Sequence, residues 1–327
     1  MAITRVESTD NEAVKLWSEQ LFRDMIIEPF FAKYMGGSSA ICHTKEDFMA
    51  KKGDRLRFAL RTRLTGTGVT DGETLRGKEE KLDSSTSDLE LNVYRHAVSY
   101  DSLLSDQRAQ FSLPEETRTA IKDWGVEKVD EICFDAITAS PTKIIYSGTA
   151  TSTATVADKI TPSLISKLRA IAKTGNKREF VPIRPVKVDN GEFHVLLIHP
   201  ESSYDLKVDS TWTQAQREAQ SRGNSNPIFS GALGIWDNVI VKESERVPVV
   251  ATWGAGGDTE GQKAVFMGQQ ALTFGWGMRP EIVEDEFDYG SEKGVAIQMI
   301  AGVKKATFDS KDYGSMGVYT ARTNLSN

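Results

Sequence analysis

One stretch constrains this chain more than any other: Pro114 to Ser140, PEETRTAIKDWGVEKVDEICFDAITAS. It reads as a single long helix. Ser112 precedes Glu115 by three residues, a capping-box pattern, and Pro114 suits the first helical position. Glu115 and Glu116 place negative charge at the positive end of the helix dipole. Ile121, Trp124, Val129, Ile132, Cys133, Ala136 and Ile137 recur at helical spacing and form one apolar stripe. Pro141 marks the exit. About 25 residues at about 1.5 Å rise make a rod of about 38 Å, the width of a domain. Gly125 costs about 1 kcal/mol inside a helix, which a close packing partner would explain. The stripe must be covered, and the nearest alternating segments are the strands expected around 295–320.

The segments before the rod read as arm and ribbon. AVKLWSEQLFRDMI spaces Val14, Trp17, Leu21 and Met25 by three or four, a short amphipathic helix that is marginal alone. From 53 to 100 the pattern turns to alternation. Leu56, Phe58 and Leu60 alternate with Arg55, Arg57 and Ala59; on the return, Leu89, Leu91 and Val93 alternate with Glu90, Asn92 and Tyr94. Between them, Thr65–Ser87 is polar and Gly-rich. So long a connection reads as a protruding hairpin rather than a buried loop. Two strands alone are not stable, so the ribbon needs a support.

Beyond the rod the chain reads as an α/β lobe. Residues 141–158 are small and polar. Thr161-Pro162 opens a helix with Leu164, Leu168 and Ile171 on one face and Gly175 as its stop. The uninterrupted run Val195–Ile198 suits a strand covered on both faces. A third helix is expected near Leu206–Ser221, a strand at Trp236–Val241, a loop at 254–261, and an apolar helix or strand at Lys263–Phe274. Two strands, Val295–Ala301 and Phe308–Tyr319, close the chain.

Little here argues for catalysis. The net charge of −6 excludes a chain-wide nucleic-acid-binding surface. Two cysteines, Cys42 and Cys133, read as buried thiols rather than a disulfide framework. No apolar run reaches the 18 or so residues that cross a bilayer, and the opening residues lack a secretory layout, so a cytoplasmic protein is expected. Gly254–Lys263 lacks the Gly-Lys-Ser/Thr that a phosphate loop requires. His43, His96, His194 and His199 show no zinc spacing, and alternation puts His194 and His199 on opposite faces. Glu281–Asp288 holds five carboxylates and reads as a solvated acidic edge. No Gly-x-Ser-x-Gly elbow is present.

The order of segments resembles a known family. Gly53-Asp-Arg-Leu-Arg-Phe58, Gly66-Thr-Gly68, Gly77-Lys-Glu-Glu80 and Tyr94-Arg-His-Ala-Val98 look like ribbon landmarks of the major capsid proteins of tailed phages, specifically the N4-like family of the Hong Kong 97-type capsid fold. Leu197-Ile-His-Pro200 with Asp205-Leu206 and Trp212, then Asn226-Pro-Ile-Phe-Ser-Gly-Ala-Leu-Gly234 and Gly268-Gln-Gln-Ala-Leu272, are similar to later family segments. The resemblance spans about residues 14–305.

That resemblance implies an α+β fold in four parts. These are an N-terminal arm (1–50), an extended β-hairpin or E-loop (51–100), a peripheral domain with the long spine helix (101–145 and 290–327) and an axial domain (146–289). It implies a structural subunit, not an enzyme. The subunit would assemble with itself into pentamers and hexamers of an icosahedral head in the host cytoplasm. Scaffolding, portal and decoration proteins are further partners it implies. Packaged double-stranded DNA would be enclosed without specific binding, and no membrane, cofactor or metal is implied. The alternative is an encapsulin-like compartment shell of the same fold.

Contacts between subunits are expected at three places. Arg55, Arg57, Arg61 and Arg63 share one face of the ribbon strand, read as a salt-bridge surface that meets a neighbour's 281–288 rather than the genome. Lys78 and Lys81 lie on the ribbon. Asp258 and Glu260 lie in a Gly-rich loop expected near the capsomer axis, where they would repel their own copies unless solvated.

Overall fold

The apolar stripe dictates the first layer. In the computed structural model, which describes residues 29–45, 55–61, 68–72, 74–80, 84–101, 113–178, 181–188, 191–218, 232–288 and 291–325, the long helix α1 spans Leu113–Thr138. Its buried line is Ile121, Gly125, Val129, Cys133 and Ile137, one residue every four, with Phe134 beside it. Trp124, Ile132 and Ala136 flank this line and are half-buried.

Among the described residues before α1 are a 3-10 turn (Phe30–Tyr34) and strands β1 (Met35–Gly36), β2 (Cys42–Lys45), β3 (Arg55–Arg61), β4 (Ser84–Glu90) and β5 (Asn92–Asp101). After it the order is β6 (Ile144–Tyr146), α2 (Pro162–Arg178), β7 (Val186–Val188), β8 (Gly191–Ile198), α3 (Pro200–Val208) and α4 (Ser210–Glu218). Next come β9 (Gly234–Trp236), β10 (Val239–Glu243), β11 (Val249–Trp253), β12 (Thr259–Met267), β13 (Leu272–Phe287) and β14 (Glu292–Lys305). Two short strands, β15 (Thr307–Phe308) and β16 (Lys311–Asp312), lead into β17 (Ser315–Ala321).

Two large sheets take most of these strands, while β3 pairs with β4 and β15 with β16 in two-stranded sheets. The first has the order β1-β2-β13-β14-β5, and α1 lies on it. Val295, Ile297, Met299 and Ala301 of β14 meet the helix stripe in one core, as the stripe required. The second sheet has the order β6-β17-β12-β8-β10-β9, with β11 added to β12 and β7 to β8. Strand β8 is buried on both faces: Val195 and Leu197 point into the α1 core, Leu196 and Ile198 into a second core under α2. That is why its sequence has no polar interruption. His194, on the second side, is buried against Phe266 with ring centroids 5.0 Å apart. Burial pushes its pKa down, so it stays neutral.

Three expectations need correction. The strands that close the chain do not stay together: β14 joins the first sheet, but β17 pairs with β12 and β6 in the second. Residues 290–327 therefore do not form one piece with the spine helix. Conversely β13, placed with the lobe before 289, is the antiparallel partner of β14. The third helix is two helices. Asp209 breaks it, accepting hydrogen bonds from the Thr211 and Trp212 amides at 2.8 and 3.3 Å and so capping α4. His199 lies just past β8 and caps α3 instead. Lys263–Phe274 is the end of β12 and the start of β13. The amphipathic stretch expected at 14–25 lies outside the described residues.

Polar groups fasten the helix within its buried line and at its C-terminal end. Asp130 accepts hydrogen bonds from the Phe30 and Phe31 amides at 2.7 and 3.2 Å, anchoring the 3-10 turn whose rings pack on Phe134. At the C-terminus, Lys305 Nζ donates to the Ala139 and Ser140 carbonyls at 2.8 and 2.9 Å. The same ammonium pairs with the fully buried Asp312 at 3.0 Å, whose other oxygen receives the Thr142 amide. Helix end, β14 and the β16 turn are thus tied by one buried ion pair.

Candidate assembly surface

The ribbon has one face covered by the chain itself and one left exposed. β3 and β4 pair antiparallel, Arg55 opposite Glu90 through Arg61 opposite Ser84, and form a two-stranded sheet of their own. Leu56, Phe58 and Leu89 point one way and are buried; Arg55 and Arg57 point the other and are exposed. Alternation in the sequence predicted this division.

The buried side is the foot of the hairpin. It rests on the first sheet at three glycines, Gly275, Gly277 and Gly302. Phe58 lies edge-on to His43 at 5.2 Å, and Lys45 Nζ sits 4.6 Å above its ring. Two lysines of the sheet hold the hairpin backbone: Lys45 Nζ reaches the Arg57 carbonyl at 3.4 Å and Lys304 Nζ the Asp88 carbonyl at 3.0 Å. Ser85 Oγ hydrogen-bonds Asp309 at 2.9 Å. The ribbon expected to find support elsewhere therefore has its foot on its own chain.

The tip differs. Of the described residues between the strands, 68–72 and 74–80, nearly all are exposed, including Leu75 at 65%. Gly68, Gly72 and Gly77 have positive φ, and the Lys78 amide donates to the Leu75 carbonyl at 3.0 Å in one of the turns.

The arginine face also differs from expectation. Arg57 binds Asp88 through two hydrogen bonds of 2.7 and 3.0 Å, and Arg55 pairs with Glu90 at 3.0 Å. Both partners lie directly across the ladder on β4. The Arg57 hydrogen bond holds the Asp88 carboxyl below the usual range. These cations are thus matched within the hairpin rather than waiting for a neighbour's 281–288. That acidic edge has cations of its own: Arg118 of α1 binds Glu284 at 2.7 Å and Lys293 lies 3.5 Å from Glu286. Arg61 sits on β3 opposite Ser84. Arg63 and Lys81 lie outside the described residues.

The expected axial pair is separated. Asp258 is exposed at the end of the Gly254–Asp258 loop, where Gly254 and Gly257 adopt positive φ. Glu260 has already entered β12 and faces the end of the chain. Arg322 bridges Glu260 and Glu201, and Asn324 Nδ2 donates to Glu260 at 2.6 Å. Thr323 binds Asp205 of α3 through its amide at 2.9 Å and through its hydroxyl. This clasp was not foreseen; isolated Arg, Thr and Asn near a terminus carry no periodic signal. Among the described residues no cluster of His, Cys, Asp or Glu could hold a metal, and no helix is long and apolar enough to cross a membrane.

Comparison with known proteins adds to this geometry. A family described as phage capsid protein matches residues 5–140 and 133–323. A protein of Pseudomonas phage KPP25 described as a major capsid protein is 28% identical over 366 aligned positions, covering 95% of this chain and 96% of the relative. The capsid of Ralstonia phage GP4 superposes with a TM-score of 0.83 at 25% identity and covers both chains completely. The cyanophage Pam1 capsid shares the fold, with a TM-score of 0.77 at 19% identity over 91% of this chain and 93% of that one.

Proposed function

The chain belongs to the phage capsid protein family, and from that premise we propose how its parts build a shell. It is a major capsid protein with a Hong Kong 97-type fold, a structural component of a phage head, and its copies form the shell of the virion. The similarity to phage capsids favours this over an encapsulin-like compartment; DNA inside purified particles is the measurement that separates the two.

In this reading α1 with the five-stranded sheet is the peripheral domain and the eight-stranded sheet with α2, α3 and α4 the axial domain. The support is strand pairing and the division of the core between α1 and α2. Subunits meet as pentamers and hexamers in the host cytoplasm, a repeated heterologous contact that closes on itself. The Gly254–Asp258 loop lies among contacts near the axis, with Asp258 solvated. Lys78 and Lys81 belong to the hairpin's contact with a neighbour. The enclosed DNA is not specifically bound, because Arg55 and Arg57 are already matched by Glu90 and Asp88. Scaffolding, portal and decoration proteins complete the head.

One observation carries the proposal. The hairpin's foot is covered by its own chain while its tip, with Leu75, is exposed. A segment so built completes itself on a second copy. Removing 66–86 should leave a soluble, folded subunit that forms no particles by electron microscopy. Normal particles from that variant would show that the hairpin is dispensable.

A further inference from the structure

The strand from Ser84 to Asp101 changes partner at Leu91. Up to Glu90 it pairs with β3; from Asn92 it pairs with β14, where Asn92 opposes Ala301. The next residue of β14 is Gly302, so this glycine lies where the hairpin leaves the sheet. A Cβ on Gly302 would stand 2.3 Å from the Glu90 carbonyl oxygen. That oxygen is backbone and cannot rotate aside. Gly275 faces Gly302 across the ladder, and a Cβ there would stand 2.2 Å from Leu56 Cδ1 and 3.1 Å from Leu89 Cδ2. A Cβ on Gly277 would stand 2.9 Å from Leu91 Cδ1. None of these three has a positive φ, so backbone freedom is not what selects glycine. Room for a crossing chain is.

We propose that Gly275 and Gly302 are positioning residues, a seat that sets the angle at which the hairpin leaves the body and, through it, the curvature of the shell. The consequence for curvature rests on the reading that the hairpin reaches a neighbour. The arm is long: seven paired residues at about 3.4 Å each give about 24 Å, so a tilt of about 10° moves its end by about 4 Å. An alanine at 302 must open the contact from 2.3 Å to the 3.4 Å of ordinary packing. Lys45 and Lys304 hold the hairpin backbone from the sheet, so the foot tilts instead of detaching.

The test reads the angle directly. Cys42 and Cys133 are both buried, so cysteines introduced at Leu75 and Asp123 can carry spin labels selectively. In the purified, unassembled subunit, Gly302→Ala and Gly275→Ala should each shift the label-to-label distance by several Å. Leu56→Ala added to Gly275→Ala removes the obstructing methyl and should restore the original distance; this pair decides the matter should Gly302→Ala not fold. Assembled variants should form shells of altered diameter or open sheets. An unchanged distance in both alanine variants, or no restoration by Leu56→Ala, overturns the seat. A shifted distance with unchanged shells overturns the link to curvature and tells against the neighbour-reaching hairpin, not against the seat.

Discussion

The spine helix and the hairpin are both long and both rest on the first sheet, but they are completed differently. The helix buries a line of side chains from Ile121 to Ile137, is fastened near its middle by Asp130, and has its C-terminal end satisfied by Lys305, which Asp312 holds. Its partners come from the same chain, from His96 of β5 before it to β14 far beyond it. Among its described residues the hairpin buries three apolar side chains, Leu56, Phe58 and Leu89, with Leu91 packed against them, and leaves its tip in water. Its charges pair across its own ladder. A single chain can therefore finish the helix but only begin the hairpin. The part left unfinished is the part available to another copy.

The largest effect that tests this contrast is at the helix end. Asp312→Ala strands Lys305 in a buried site and removes the acceptor of the Thr142 amide. Breaking a buried pair from one side costs about 3–5 kcal/mol, so the subunit's denaturation midpoint should fall sharply. A change below about 1 kcal/mol, typical of exposed pairs, would erase the distinction between helix and hairpin.

An intermediate effect is expected at the hairpin foot. Burial, and then the neighbouring Lys45, lower the His43 pKa from 6.5. The folded foot therefore resists a proton that the unfolded chain accepts. Its contribution is complete above about pH 6.5 and declines as the pH falls below that value. Relative to the intrinsic exchange rate at each pH, the protection of amides in 55–61 and 84–90 should fall between pH 7 and pH 5, and His43→Gln should remove the acid dependence of that local opening. An equal loss of protection throughout 113–138 would mean that the foot and the helix open together.

The smallest effect belongs to the outer face. Arg57→Gln breaks an exposed cross-strand pair, so the subunit's thermal midpoint should not move measurably. Shell formation should also persist, because Asp88 already satisfies the arginine without a neighbour. Loss of shells from a normally folded Arg57→Gln subunit would return this residue to the contact between subunits.

Much of this contrast was legible in the residues. The helix expected over 114–140 is found at Leu113–Thr138, because a capping pattern and a 3.6-residue stripe are written within a few turns. The inward and outward faces of β3 were legible for the same reason, with a period of two. The break at Asp209 was also present as a helix-capping residue, but the apolar spacing of Val208 and Trp212 ran through it and masked the signal. The contact residues were less legible. The outward face of Arg57 was legible but its cross-strand partner Asp88 was not, since alternation says where a side chain points and nothing about what stands opposite.

What the sequence by itself determined, then, is the type and apolar face of its most periodic elements, the spine helix and the ribbon strands above all, which are properties of residues within one or two turns of each other. Only the tertiary structure decided which sheet each strand joined. β14 and β17 stand ten residues apart in the chain, and one covers the spine helix while the other pairs with β12 in the second sheet. The same holds for Gly275 and Gly302, two ordinary glycines in alternating strands until the hairpin crosses them. The physical reason is that backbone ladders are nearly indifferent to side-chain identity along a strand. Pairing is then chosen by which arrangement buries the most apolar surface while leaving room for every chain that crosses, and that choice is made by the whole molecule at once.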